Sequence, residues 1–177
     1  DRLGALIDAH ARVLYEVLTD ADGRAYARCD LRSVSRSGDG DLEAHAAAVR
    51  GLLEAYLATG EGRYRDRAER VFARMLTEFW SDEARTFVRA RGERETAWTP
   101  RLFGIVQGAL REGFKLLAAR PGREPFAALV ASRFARLSKL VLNGWDDRDD
   151  DGVVDYPQEC LLVVEGLPRG GLQMAER

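Results

Sequence analysis

The sequence predicts an all-α fold of antiparallel helical hairpins, and three features predict it. Apolar residues recur three and four apart through five separate stretches, the period of one buried helix face. Two of the breaks between stretches, Thr59-Gly60-Glu61-Gly62 and Arg120 to Arg123 with its Pro-Gly pair, are so short that the next helix must fold back on the last. Thr99-Pro100 places a capping hydroxyl before a proline whose fixed φ and missing N–H are harmless in a first helical turn.

Taken in order, Leu3, Leu6, Ile7, His10, Val13, Leu14, Val17 and Leu18 line one face of a first helix, which Asp20 to Gly23 stops. From Arg24 to Asp41 the pattern turns polar and rich in Ser and Gly, with an extended-looking piece from Tyr26 to Leu31. This stretch is either a long ordered loop or a two-stranded excursion. Asp41 suits an N-cap, and Leu42, Val49, Leu52, Leu53, Tyr56 and Leu57 form the stripe of a second helix. Tyr64, Ala68, Val71, Phe72, Met75, Leu76 and Phe79 line a third. After it Trp80 to Gly92 loses helical period, and Thr86-Phe87-Val88 reads as a small strand. Phe103, Val106, Leu110, Phe114 and Leu117 then face inward from a fourth helix, and Phe126, Leu129, Val130, Phe134, Leu137 and Val141 from a fifth. An acidic loop, a short apolar run from Cys160 to Val164 and a helix-like end at Leu172 to Arg177 complete the chain.

With 177 residues, 46% of them hydrophobic, the chain can bury one sizeable core and is short for two. We divide it into a helical-hairpin region, residues 1–145, and the acidic-loop segment with a C-terminal extension of the same domain, 146–177. The net charge of −2 supplies no overall field for nucleic acid or an anionic membrane, so neither is an expected partner. No apolar run is long enough for a membrane span. The cations are nearly all Arg, with Lys only at 115 and 139, and they lie scattered among acids. Cys29 and Cys160 fit no redox or haem-attachment motif and read either as one long-range disulfide or as two separate thiols.

The run from Arg50 through Tyr56, Thr59-Gly60 and Tyr64 to Arg70, followed by Phe79-Trp80-Ser-Asp-Glu-Ala-Arg-Thr-Phe87, resembles the repeat of the six-hairpin (α/α) toroids. That superfamily includes sugar epimerases, glycoside hydrolases and lyases. The resemblance covers residues 42 to 90 well and the 100 to 142 pair in outline. It implies stacked hairpins, and it carries no catalytic position across. A closed ring needs about twice this length, so the expectation is a part of a longer chain or a small open bundle, and a last helix cut short favours the first; a start at Asp1 without Met fits a removed leader or tag, or an excised piece. His45 would stand where a toroid turns a side chain to its cavity, yet a satisfied structural histidine is the simpler reading. His10 reads as core, and Glu54, Asp66, Glu69 and Glu78 as solvated. Trp80, Trp98 and Trp145 suit either helix-end packing or stacking on sugar rings.

The sharpest motif is Asp147-Arg-Asp149-Asp-Asp151-Gly152-Val-Val-Asp155, which resembles EF-hand and dockerin calcium loops. A hard cation takes six to eight oxygens: Asp147, Asp149, Asp151 and Asp155 supply carboxylates, Val153 a backbone carbonyl, and Gly152 the sharp bend. Gln158 occupies the place of the usual bidentate Glu, with Glu159 one residue later, and Pro157 interrupts the exit helix. A site with one weak ligand should bind at roughly 10⁻⁴ to 10⁻³ M, an affinity typical of extracellular modules. The sequence therefore leads us to expect a structural calcium ion and a periplasmic, cell-surface or secreted location. The expected role is a noncatalytic scaffold or binding protein with a protein partner in a larger assembly. The alternative is a fragment of a carbohydrate-active toroid enzyme with a carbohydrate partner.

Overall fold

A computed structural model of the chain describes residues 2–30, 32–33, 35–93, 96 and 98–143. Helix α1, Arg2–Arg12, runs on into a π-wound segment, Val13–Leu18. A ribbon of β1, Tyr26–Asp30, and β2, Ser35–Asp39, leads to α2, Leu42–Thr59, and α3, Gly62–Glu78. A smaller ribbon, β3 at Trp80–Ser81 and β4 at Thr86–Phe87, leads to α4, Pro100–Gly113. Another π-wound segment, Phe114–Ala118, and a turn connect it to α5, Glu124–Asn143.

The caps follow from the residues at the breaks. Asp41 accepts a hydrogen bond from the Ala44 N–H at 3.0 Å, and Thr99 one from the Leu102 N–H at 3.2 Å. Gly60 closes α2 at φ 72°, a left-handed conformation that glycine adopts without strain. Helix α2 sits at the centre because its sequence is apolar on several sides. Leu42, Val49, Leu52 and Leu53 are buried, and the helix packs on α1, α3 and α4. The short turns, at Gly60-Glu61 and at Arg120 to Arg123, lie at one end, so α2 and α4 run one way while α1, α3 and α5 run the other. The long connections with both ribbons gather at the opposite end, the mouth. Here the Leu42 N–H donates to the Arg89 carbonyl and the rings of His45 and Phe79 lie 4.8 Å apart. Among α1, α3 and α5, α3 is the middle member. Its Tyr64 meets Tyr15 on the α1 side, and its Phe72 meets Phe126 of α5, both edge to face.

The all-α expectation is corrected by these ribbons: among the described residues the molecule is mostly helical but carries two antiparallel two-stranded sheets. Of the two readings open for residues 24–41, the two-stranded excursion is the one found. The connections at the mouth are too polar to wind on as helix, and their backbone groups find partners by pairing across a turn. Asp30 shapes the first turn, accepting from the Arg32 N–H and the Ser33 hydroxyl, and the Ser81 hydroxyl accepts from the Ala84 N–H in the second.

The helical stripes also need correction in places. Leu6 is 55% exposed, Leu57 57% and Leu129 38%. His10 is exposed too, its Nδ1 lying 2.8 Å from the Leu6 carbonyl of its own helix. Ala11 near the end of α1 is buried, and in the π-wound segment that follows Leu14 packs toward Gly51 of α2. Phe114 turns outward because α4 becomes π-wound there. The extra residue per turn rotates the face, and Gly113 takes the place against the Phe72 ring.

Candidate functional site

The candidate calcium ligands Asp147, Asp149, Asp151, Val153, Asp155, Gln158 and Glu159 lie outside the described residues, as do Trp145 and Cys160. Among the described residues, no cluster of three or more His, Cys, Asp or Glu side chains could hold a metal. Cys29 lies half-buried on β1 as a free thiol.

Of the two ends of the bundle, the mouth has the richer chemistry. Its carboxylates are matched with guanidinium groups: Asp41 with Arg89 at 3.2 Å, Glu43 with Arg101 at 3.1 Å, and Glu78 with Arg74 at 2.7 Å and with Arg91 as well. Apart from Arg74 and Glu78, four residues apart along α3, these pairs follow from topology, because the N-termini of α2 and α4 and the C-terminus of α3 meet here. Asp82 accepts from the Trp80 indole N–H at 3.0 Å, and the Arg133 guanidinium of α5 lies 4.6 Å over the Trp80 ring. Burial pulls the Arg133 pKa down, and nearby Asp82 opposes it. Trp80 also meets Phe87 edge to face, and Trp98 meets Phe103 in the same way. Both indoles are therefore used in packing at helix ends, and one face of Trp80 lies beneath a cation.

His45 is buried, and the backbone occupies both of its nitrogens. Nε2 accepts from the Ala25 N–H at 3.2 Å, which requires the tautomer with the proton on Nδ1; that proton faces the Asp41 carbonyl at 3.0 Å. Desolvation lowers the His45 pKa, helped by Arg74 and Arg91, while the Asp41 carbonyl and Glu78 act in the opposite sense. As positioned, His45 is neutral and has no free nitrogen with which to move a proton.

Three functional-looking groups escaped the reading of the sequence. Arg67 is buried on α3, its guanidinium 4.3 Å over the Tyr15 ring, donating to the Tyr15 carbonyl at 3.0 Å and the Thr19 hydroxyl at 3.3 Å. It thereby caps the π-wound end of α1, along with the Thr19 hydroxyl on the Leu14 carbonyl and Arg36 on the Glu16 carbonyl. Gln107, buried in α4, donates to Ser138 of α5 at 2.7 Å, and its Oε1 has no partner among the described residues. The third group is Arg133. A signal existed for the first two. Arg67 falls between Tyr64 and Val71, and Gln107 between Phe103 and Leu110, each on its helix's inward stripe.

Comparison with known proteins brings no relative to bear on this geometry: no family model, no curated protein and no solved structure matches the chain. Among the described residues no helix is long and apolar enough to cross a membrane.

Proposed function

We propose that the chain is a noncatalytic helical scaffold or binding module that works outside the cytoplasm, with a structural calcium ion in the loop from Asp147 to Glu159. The observation that supports a noncatalytic role is the neutralised mouth. Acid–base catalysis needs a proton donor and acceptor with a free position toward substrate. Here Asp41, Glu43 and Glu78 each face a guanidinium, and His45 is bonded to the backbone on both sides. The calcium rests on the aspartate spacing, since carboxylates packed so closely repel unless a cation neutralises them.

Thermal melts in about 5 mM calcium and in chelator test the calcium half. An ion bound at roughly 10⁻⁴ to 10⁻³ M adds about 1–2 kcal/mol at that concentration, a shift of roughly 2–8 °C for a chain of this size. Asp149→Ala should melt at the chelated temperature with or without calcium. Equal midpoints for the native protein in both buffers would remove the ion from the proposal. For the other half, assays on a panel of glycosides should show no turnover, and sustained turnover by the monomer would overturn it.

The rival reading, a fragment of a carbohydrate-active toroid enzyme, draws on Trp80 and Trp98 at the mouth. It has less support, because Arg133 and Phe87 already engage Trp80. A glycan-binding screen separates the two readings, since saturable binding weakened by Trp98→Ala would favour the rival.

A further inference from the structure

The β1–β2 ribbon meets the first turn of α2 through two residues, Ala25 and Gly40, and Ala25 also bridges to the Thr19 backbone, where the Asp20 N–H donates to the Arg24 carbonyl at 3.0 Å. The Gly40 N–H donates to the Ala25 carbonyl at 3.0 Å, and a side chain at Gly40 would stand 2.6 Å from that oxygen and 2.9 Å from the Ala44 Cβ. Ala25 is buried, and its N–H donates to His45 Nε2. On the near side the chain is pinned independently: Gly23, at φ 81°, lies so close to the Arg70 and Val71 backbone that a Cβ would be 2.5 Å from it. The ribbon beyond Ala25 is mostly exposed. Its other ties are polar and lie nearer the surface: Arg36 to the Glu16 carbonyl, Arg24 to Asp39, and Tyr26 to Asp20.

We propose that His45 is a pH-sensitive latch: the neutral ring holds Ala25, and with it the base of the β1–β2 ribbon, against α2, and protonation lets the ribbon come away while the helices stay packed. A proton on Nε2 would point at the Ala25 N–H, replacing a hydrogen bond with two opposed donors in a buried place. The new charge would also sit in the first turn of α2, at the positive end of its dipole. The surroundings do not compensate. From α3, Glu78 faces the ring, but it is already shared by Arg74 and Arg91; Asp41, the cap of α2, spends its carboxylate on the Ala44 N–H and Arg89. The sign follows. A histidine whose folded pKa lies below 6.5 stabilises the closed ribbon fully above that pH, and the stabilisation is lost as pH falls through and below it.

The test is amide hydrogen exchange by NMR, corrected for the intrinsic rate, at pH 7 and at pH 5. Protection at Ala25 and the ribbon amides Arg28, Cys29 and Arg36 should fall at least tenfold at the lower pH, while Leu52 and Val71 keep theirs. His45→Gln, whose amide oxygen can still accept from Ala25, should hold the ribbon equally at both values. Unchanged ribbon protection, a parallel loss in α2 and α3, or the same pH response in His45→Gln would each overturn the latch. Should that variant not fold, His10→Gln leaves one imidazole to follow by ¹⁵N shifts. A proton on Nδ1 at pH 7 and a titration shared with the Ala25 amide support the proposal, and the opposite tautomer or an independent titration overturns it.

Discussion

Single residues in this molecule matter most where a backbone or a ring leaves no room. Gly113 is the example in a helix: a methyl group there would sit 2.5 Å from the buried Phe72 ring. Replacing a helical glycine by alanine ordinarily gains about 0.5–1 kcal/mol, but crowding a packed core costs about 1–3. The clash should win, and Gly113→Ala should lower stability by about 1–2 kcal/mol in urea melts. Arg67 makes a different point. One of its terminal nitrogens reaches both acceptors while the guanidinium carbon lies over the Tyr15 ring, a buried place that suits a lysine's compact, more strongly hydrated ammonium less well. Arg67→Lys should therefore cost about 2 kcal/mol, and a change within 0.5 would show that the guanidinium geometry is dispensable. Gln107 should respond in the other direction. Gln107→Leu removes an oxygen unpartnered among the described residues, and Ser138 keeps its bond to the Phe134 carbonyl. Equal or higher stability is expected, measured by the same melts.

At the scale of elements, the helices were far more legible in the sequence than the segments between them. Asp41, Thr59-Gly60 and Thr99-Pro100 mark boundaries because capping and left-handed closure depend on the local residue types, and the structure places caps or turns at all three. The ribbons were half legible. Tyr26 to Leu31 and Thr86 to Val88 read as extended, but short polar strands have little periodicity and the fold class passed over them. The errors in burial have another cause. Leu6, His10 and Leu129 sit at helical spacing, yet which half of a helix finds a neighbour is decided by packing that spacing does not encode. Phe114 failed because a π-turn shifts the period within one continuous helix. Exposed positions should tolerate change: Leu129→Lys should alter the stability of the isolated chain by less than about 0.5 kcal/mol, and a larger loss would mean that the residue is covered in solution.

For the whole molecule, the division into a plain end and an elaborate end is the organising fact. Compact glycine turns close one end, and the other collects both ribbons, the ion pairs of Asp41, Glu43 and Glu78, and His45. The sequence disclosed the plain end almost completely. The mouth depends on residues far apart in the chain meeting, as with Arg89 and Asp41 or Arg133 and Trp80, and no local pattern announces those pairs. The proposed calcium loop is the reverse case, a local motif read without its surroundings, and the melts above bear on it directly.

The central place of α2 also carries a kinetic consequence. Helices α2 and α3 are joined by Gly60 and Glu61 alone, so among the described residues their contacts close the smallest loop between large apolar faces. This pair should assemble first. Truncating Leu52 or Phe72 should then slow refolding in stopped-flow experiments, whereas truncating Leu137 on α5 should mainly hasten unfolding.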